Sequence, residues 1–252
     1  MSNLSNDSFN YDEEPPLSDF LEDEPKKEKK GRRRFFQIIA LLVALALFVQ
    51  TVSFLFEHYS LNAWQFIQES DSLFKDEAIE AWQSSVVVVE TNLGHGTGFF
   101  VSEKGEVLTN HHVSDEQGPL WVVTADGKRY SAQSIKHDTE KDLALVRVDA
   151  ENESFQPLRL AEPTSFLNER VIVIGHPQTH SFIANEGHVS EEIGSYQRLS
   201  ITNDVYPGHS GSPVLSQEGE VIGIIYARSL EERTHGEGLA IPIQQVLPFL
   251  DH

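Results

Sequence analysis

The stretch Tyr206-Pro207-Gly208-His209-Ser210-Gly211-Ser212-Pro213 lies between two apolar runs near the C-terminal end of a 252-residue chain. Gly208 and Gly211 flank Ser210 and carry no Cβ, so the backbone can turn sharply there and another group can come close. A turn of this kind presents a serine Oγ outward. It can also aim the N–H groups of Gly208, His209 and Ser210 into one concavity, the arrangement that stabilises a developing oxyanion. Taken alone, Gly-x-Ser-Gly is an ordinary turn sequence, and its weight depends on what else the chain supplies.

Upstream and downstream of that turn the chain is a succession of short β-rich runs, at 86–89, 99–101, 107–109, 120–124, 129–135, 143–148, 170–174, 188–190, 198–201, 213–215 and 221–226. Gly and Asp turns separate them, and no long periodic helix intervenes. The pattern predicts an all-β, antiparallel barrel or sandwich and excludes a parallel α/β sheet. A short helix over 242–250 closes the chain.

The N-terminal end has a different texture. Residues 1–25 are polar and acidic without periodicity, which reads as a disordered tail. Seven basic residues follow between Lys26 and Arg34, and they abut an uncharged apolar run over 35–56. As a helix that run is roughly 33 Å long against a hydrocarbon core of about 30 Å, so it spans a bilayer. A core helix would show a polar face, and a cleaved signal peptide would have a short leader and a small-residue cleavage site. An uncleaved anchor fits better. The basic cluster places the 1–34 tail in the cytoplasm and everything after Glu57 on the far side. Residues 57–84 have a helical pattern with Trp64, Ile67, Leu73, Phe74, Ile79 and Trp82, and read as a stalk leading into a domain over 85–252, with Ser70 or Asp71 available as a cap.

Composition narrows the function classes. The chain holds 19 Lys and Arg against 39 Asp and Glu, a formal charge of −20, and the part after residue 34 keeps about −18 of it. A nucleic-acid partner is excluded by that sign. There is no cysteine, so neither disulfides nor thiolate metal sites arise. Eleven histidines raise the question of zinc, but no His-Glu-x-x-His spacing is present, and neither metal nor cofactor is expected.

Two further segments carry chemistry. Thr109-Asn110-His111-His112-Val113 puts histidines at a strand-to-loop junction, and Lys141-Asp142-Leu143-Ala144-Leu145 puts a carboxylate at the head of an apolar strand. A carboxylate accepting from imidazole Nδ1–H fixes the tautomer, and Nε2 then takes a serine proton. These are the parts of a catalytic triad, in the order His, Asp, Ser.

With those residues in place, the chain resembles the trypsin-like serine peptidases of the bacterial HtrA/DegP type. The resemblance rests on Gly96-Thr97-Gly98-Phe99-Phe100-Val101, Leu108-Thr109-Asn110-His111-His112-Val113, Asp142-Leu143-Ala144-Leu145, Val173-Ile174-Gly175-His176-Pro177, Gly208-His209-Ser210-Gly211-Ser212-Pro213 and Gly238-Leu239-Ala240-Ile241-Pro242, in the family's order. It implies two perpendicular six-stranded antiparallel β-barrels of chymotrypsin type with the active site in the cleft between them. It implies His112 as general base, Asp142 as its orienter, Ser210 as nucleophile, and the N–H groups of Gly208 and Ser210 as the oxyanion hole.

The family motif sets the catalytic histidine directly before the valine, which selects His112 and leaves His111 incidental. His209 stands where the family more often has asparagine, and is expected to be an exposed loop residue. The resemblance places the S1 pocket on residues 204–207 and 224–227, with Asp204, Ile224, Tyr226 and Ala227 as substrate-binding candidates. Asp204 lies six residues before Ser210, where trypsin carries the acid that selects Lys or Arg; the family's usual choice of small or medium apolar P1 residues is the preferred expectation. The chain stops at His252 without the PDZ domain usual in the family, while trimers through the protease domain stay open.

The implied activity is a membrane-anchored serine endopeptidase acting in protein quality control on unfolded or damaged polypeptides at the outer face of the cytoplasmic membrane. The competing reading is a non-catalytic peptide-binding or chaperone-like module on the same fold. It ranks lower because none of the three triad residues is missing.

Overall fold

The computed structural model describes residues 30–59, 61–115, 118–177, 182–193, 198–229 and 237–251. The chain divides into two units, Met1–His58 and Tyr59–His252. The first is built on helix α1 (Lys30–Tyr59), whose segment Arg34–Ser53 has mean hydropathy 2.4, none of it buried, and is long and apolar enough to cross a membrane.

The second unit opens with α2 (Leu61–Leu73) and α3 (Glu77–Gln83). Asp76 caps α3, its carboxylate accepting from Ala78 N–H at 2.9 Å. Neither Ser70 nor Asp71 is a cap, since both lie inside α2. Ser70 is instead buried, and its Oγ accepts the Ala184 N–H at 3.0 Å. Ile79, Leu73, Phe74 and Trp82 pack on the domain core.

Strands β1 (Val86–Glu90), β2 (His95–Phe100) and β3 (Glu106–Thr109), the one-turn helix α4 (His111–Ser114), and strands β4 (Leu120–Val123), β5 (Arg129–Asp138) and β6 (Leu143–Val148) form the first half of the domain. The six strands close in the order β1-β2-β3-β6-β5-β4. The second half has β7 (Arg159–Leu160), β8 (Arg170–Gly175), β9 (Ile183–Ile193), β10 (Arg198–Asp204), β11 (Pro213–Leu215), β12 (Glu220–Arg228), β13 (Glu237–Pro242) and helix α5 (Ile243–Asp251). Its order is β11-β8-β9-β10-β13-β12, and the pairing of β11 with β12 closes it into a second six-stranded antiparallel barrel. The two-residue β7 adds a parallel edge to β12. The fold is therefore all-β, two six-stranded barrels following an N-terminal apolar helix.

The first barrel is apolar on both faces of several strands. Val87, Val89, Phe100, Val107 and Val146 fill its interior. Their neighbours in sequence, Val86, Phe99, Leu108 and Leu145, share a core with second-barrel residues such as Ile174, Leu215 and Ile224. Successive side chains point to opposite faces of a strand, so a continuous apolar run such as 86–89 is what a strand inside one barrel and against the other requires. That shared core fixes how the barrels meet, and the meeting line carries the candidate site.

Candidate active site

The His112 and Asp142 segments are brought together by the β3–β6 pairing, which sets Thr109 opposite Ala144. The chain leaves β3 into α4, and Asp142 sits immediately before β6. Asp142 adopts φ +57, the left-handed region that Asp enters more readily than most residues. In that conformation its backbone and its carboxylate both serve the facing turn. Its C=O accepts from His111 N–H at 3.2 Å and from Asn110 Nδ2 at 3.0 Å, while Oδ1 accepts from His112 N–H at 3.0 Å. The remaining oxygen, Oδ2, lies 2.8 Å from His112 Nδ1. With both oxygens committed, the imidazole is held with Nδ1 toward the acid and Nε2 directed elsewhere. The ring is half exposed.

The serine turn comes from the second barrel and abuts the same strand of the first. A Cβ on Gly96 would lie 2.7 Å from a Val113 methyl and 3.0 Å from the Ser210 carbonyl, so the segments following His112 and carrying Ser210 converge on Gly96. Gly211, at φ +86, passes so close that a Cβ would be 1.9 Å from the Thr97 carbonyl. Thr97 N–H donates to the Ser210 carbonyl at 2.8 Å, and Thr97 Oγ1 donates to the Gly208 carbonyl at 2.7 Å. Among the described residues Ser210 Oγ makes no hydrogen bond to His112. The His112–Asp142 contact is thus formed, while Ser210 Oγ and His112 are not hydrogen-bonded to each other.

Of the three N–H groups that the turn was expected to point into one concavity, that of His209 is used elsewhere, donating to the Tyr206 carbonyl at 3.0 Å. Those of Gly208 and Ser210 have no acceptor among the described residues. Gly208 adopts φ +102, and a Cβ there would sit 2.4 Å from the His176 carbonyl, so the loop closes only with glycine.

His209 corrects one expectation outright: it is fully buried rather than exposed. Its ring packs where a side chain on Gly175 would be, with Cδ2 2.7 Å from that position, and Nδ1 lies 3.3 Å from the Tyr206 N–H. Burial is the main reason its pKa falls to about 4, with nearby His176 adding to the effect and the Tyr206 backbone opposing it. The ring is therefore neutral at ordinary pH. His111 stacks on His137 with ring centroids 5.0 Å apart and lies 3.4 Å from Asp115.

A cavity of about 320 Å³ opens beside Ser210, lined by Val205, Tyr206, Pro207, Ala227 and Arg228. Ala227 belongs to it as expected from sequence, and Tyr226 is half-buried next to it. Ile224 does not line it, being wholly buried between the sheets. Asp204 is exposed, its backbone carbonyl accepting from Asn185 Nδ2 at 2.9 Å, and it is not on the cavity wall. Both Asp204 and Arg228 act electrostatically on Tyr206, whose hydroxyl pKa is raised first by burial and then by Asp204. Arg228 lies one residue beyond the 224–227 window expected for the pocket, at the end of β12. Thr97 and Thr109 were given no role of their own, although both stand in motifs that carry the resemblance, because their cross-barrel hydrogen bonds leave no local pattern. His176 and His180 are four apart with Pro177 between, His180 lies outside the described residues, and no group of three His, Asp or Glu converges among those described.

Two closed antiparallel barrels with a His–Asp pair on one and a glycine-bounded serine on the other define the chymotrypsin-like class. The model of the trypsin-like peptidase domain matches residues 96–224, just over half of the chain, and the chain belongs to that family. It is similar to a probable periplasmic serine endoprotease DegP-like from Chlamydia muridarum, 35% identical over 136 residues, covering 51% of this chain and 27% of that protein. It is also similar to the putative serine protease HhoB of Synechocystis, 36% identical over 165 residues, covering 60% of this chain and 38% of the other. Among solved structures the serine endoprotease from Yersinia pestis matches with a TM-score of 0.62 at 26% identity, over 69% of this chain and 64% of that one. The chain spans well under half the length of these curated relatives.

Proposed function

We propose that this chain is a serine endopeptidase that hydrolyses unfolded or damaged polypeptides through an acyl-enzyme, with Ser210 as nucleophile, His112 as general base and Asp142 as orienter. The observation that carries the reading is the Asp142 Oδ2 to His112 Nδ1 contact of 2.8 Å, made by a carboxylate whose other oxygen is anchored on the His112 backbone. Asp142 keeps the tautomer with Nε2 free to accept a proton and stabilises the imidazolium that follows. Ser210 Oγ forms a bond to the substrate carbonyl carbon as its proton passes to His112 Nε2. The oxyanion is met by the N–H groups of Gly208 and Ser210. The C–N bond breaks as His112 returns the proton to the leaving amine, and water repeats the sequence to release the acid.

The cavity beside Ser210 serves as the P1 pocket, and its walls Val205, Pro207 and Ala227 favour a small or medium apolar residue. Among the described residues no acid lines that wall and Arg228 does, which disfavours a basic P1 residue. The chain is held to the cell membrane by residues 35–56, with the 1–34 tail cytoplasmic, the 57–84 helices as the connection and the 85–252 domain extracytoplasmic.

Ser210→Ala is expected to abolish casein hydrolysis and labelling by a fluorophosphonate while leaving the unfolding midpoint unchanged. Labelling that persists in Ser210→Ala would place the nucleophile elsewhere and end this reading.

A further inference from the structure

Resting on the peptidase reading above, we propose that Thr97 is a positioning residue whose hydroxyl holds the oxyanion-hole turn in register with the His112–Asp142 pair. Thr97 lies on β2 and is completely buried. All its polar atoms are engaged, and each bond leads to a part of the site. Its N–H donates to the Ser210 carbonyl at 2.8 Å and its C=O accepts from Thr109 Oγ1 at 2.7 Å. Its Oγ1 donates to the Gly208 carbonyl at 2.7 Å and accepts from the His176 N–H at 3.0 Å. Thr109 in turn leads through Asn110 into α4, which carries His112.

The two backbone bonds could be made by any residue, but only a hydroxyl both donates to Gly208 and accepts from His176 at one point. The Gly208–His209 peptide lies between the two N–H groups assigned to the hole. Gly208 has the conformational freedom its φ of +102 requires, so nothing within that residue selects one orientation of the peptide. The His209 N–H, bonded to the Tyr206 carbonyl at 3.0 Å, holds one side of this peptide, and the Thr97 hydroxyl holds the other through the Gly208 carbonyl in a part-buried setting. Valine at this position keeps the volume and the backbone bonds. It strands the Gly208 carbonyl and the His176 N–H, and rotation of the Gly208–His209 peptide then becomes the way to satisfy the former.

The test compares the full chain in detergent with Thr97→Val and Thr97→Ser, using a fluorogenic peptide and a peptidyl aldehyde that forms an oxyanion-bearing adduct. Thr97→Val is expected to lower kcat about 10–100-fold with KM within about twofold, and to weaken the aldehyde by the same factor. Thr97→Ser is expected to stay within about threefold of wild type in both. A purely structural role would change the amount of folded protein and not this split. Thr97→Val turning over at the wild-type rate, unchanged aldehyde affinity beside a lowered kcat, or Thr97→Ser as impaired as Thr97→Val each overturns the proposal. Should Thr97→Val fail to fold, Thr97→Ala takes its place under the same criteria. A wild-type chain that neither cleaves peptide nor reacts with a fluorophosphonate overturns the peptidase reading and this inference with it, whereas an active wild type with an unimpaired variant overturns this inference alone.

Discussion

Asp142 shows how much of a site can depend on one backbone angle. At φ +57 it sits where a non-glycine residue is held at a cost of order 1–3 kcal/mol, and the surrounding hydrogen bonds offset that cost. Asn shares the tolerance for this conformation, so Asp142→Asn should preserve the local backbone while offering His112 Nδ1 an amide in place of a carboxylate. The wrong tautomer is then favoured, and kcat is expected to fall on the order of 10⁴-fold with the unfolding midpoint little changed. Steady-state kinetics beside urea denaturation check this, and a loss below tenfold would remove Asp142 from the mechanism. The residue types of the site were legible in the sequence because His112, Asp142 and Ser210 each stand in a distinctive local pattern. The left-handed conformation of Asp142 was not, because it is stabilised by a turn thirty residues away in sequence, with His112 and Asp142 separated by |i−j| of 30.

At the scale of the element, the turn around Ser210 has its imidazole on the inside. Sequence reading set His209 outside because a polar residue in a Gly-rich loop is usually solvated; the space that accepts the ring is made by Gly175 on β8, which no local pattern reveals. The same reasoning covers Trp82, whose indole fills a notch that only the glycine at position 219 leaves open, with a Cβ there 2.3 Å from the ring. For His209 the consequence is a pH dependence. Its pKa is about 4 in the folded chain against 6.5 unexposed to the fold, so the unfolded chain binds the proton first as pH falls. The stabilisation is complete above about pH 6.5 and is lost between there and about pH 4, amounting to roughly 3 kcal/mol. Among the described residues the ring faces His176, the Tyr206 backbone and the Tyr206 ring. Urea midpoints at pH 7.5 and pH 5 are expected to differ by more in wild type than in His209→Asn, which cannot titrate, and equal differences would refute it.

For the whole molecule the deciding feature is the contrast between an uncharged apolar run over 35–56, preceded by basic residues, and a strongly acidic part after it. The barrels were legible because short apolar runs and turns leave few alternatives, while the closure of the second one by β11 and β12 was not, since three-residue strands carry almost no pattern. The helix itself was legible because the run over 35–56 is apolar and uncharged, and α1 covers it. The Arg34–Ser53 segment has no buried residue, so in water its apolar side chains would all face solvent. At about 0.8 kcal/mol for each buried methylene the transfer of that surface into hydrocarbon outweighs any other force on the segment. Seven Lys and Arg between residues 26 and 34 are the basis on which we propose that the N-terminal side is cytoplasmic. The full chain is expected to remain in the membrane fraction after alkaline carbonate extraction. Protease added outside intact spheroplasts is expected to remove an epitope placed after Asp251 and to spare one placed before Lys26. Release by carbonate would show that α1 does not span the bilayer, and protection of the C-terminal epitope with loss of the N-terminal one would reverse the orientation.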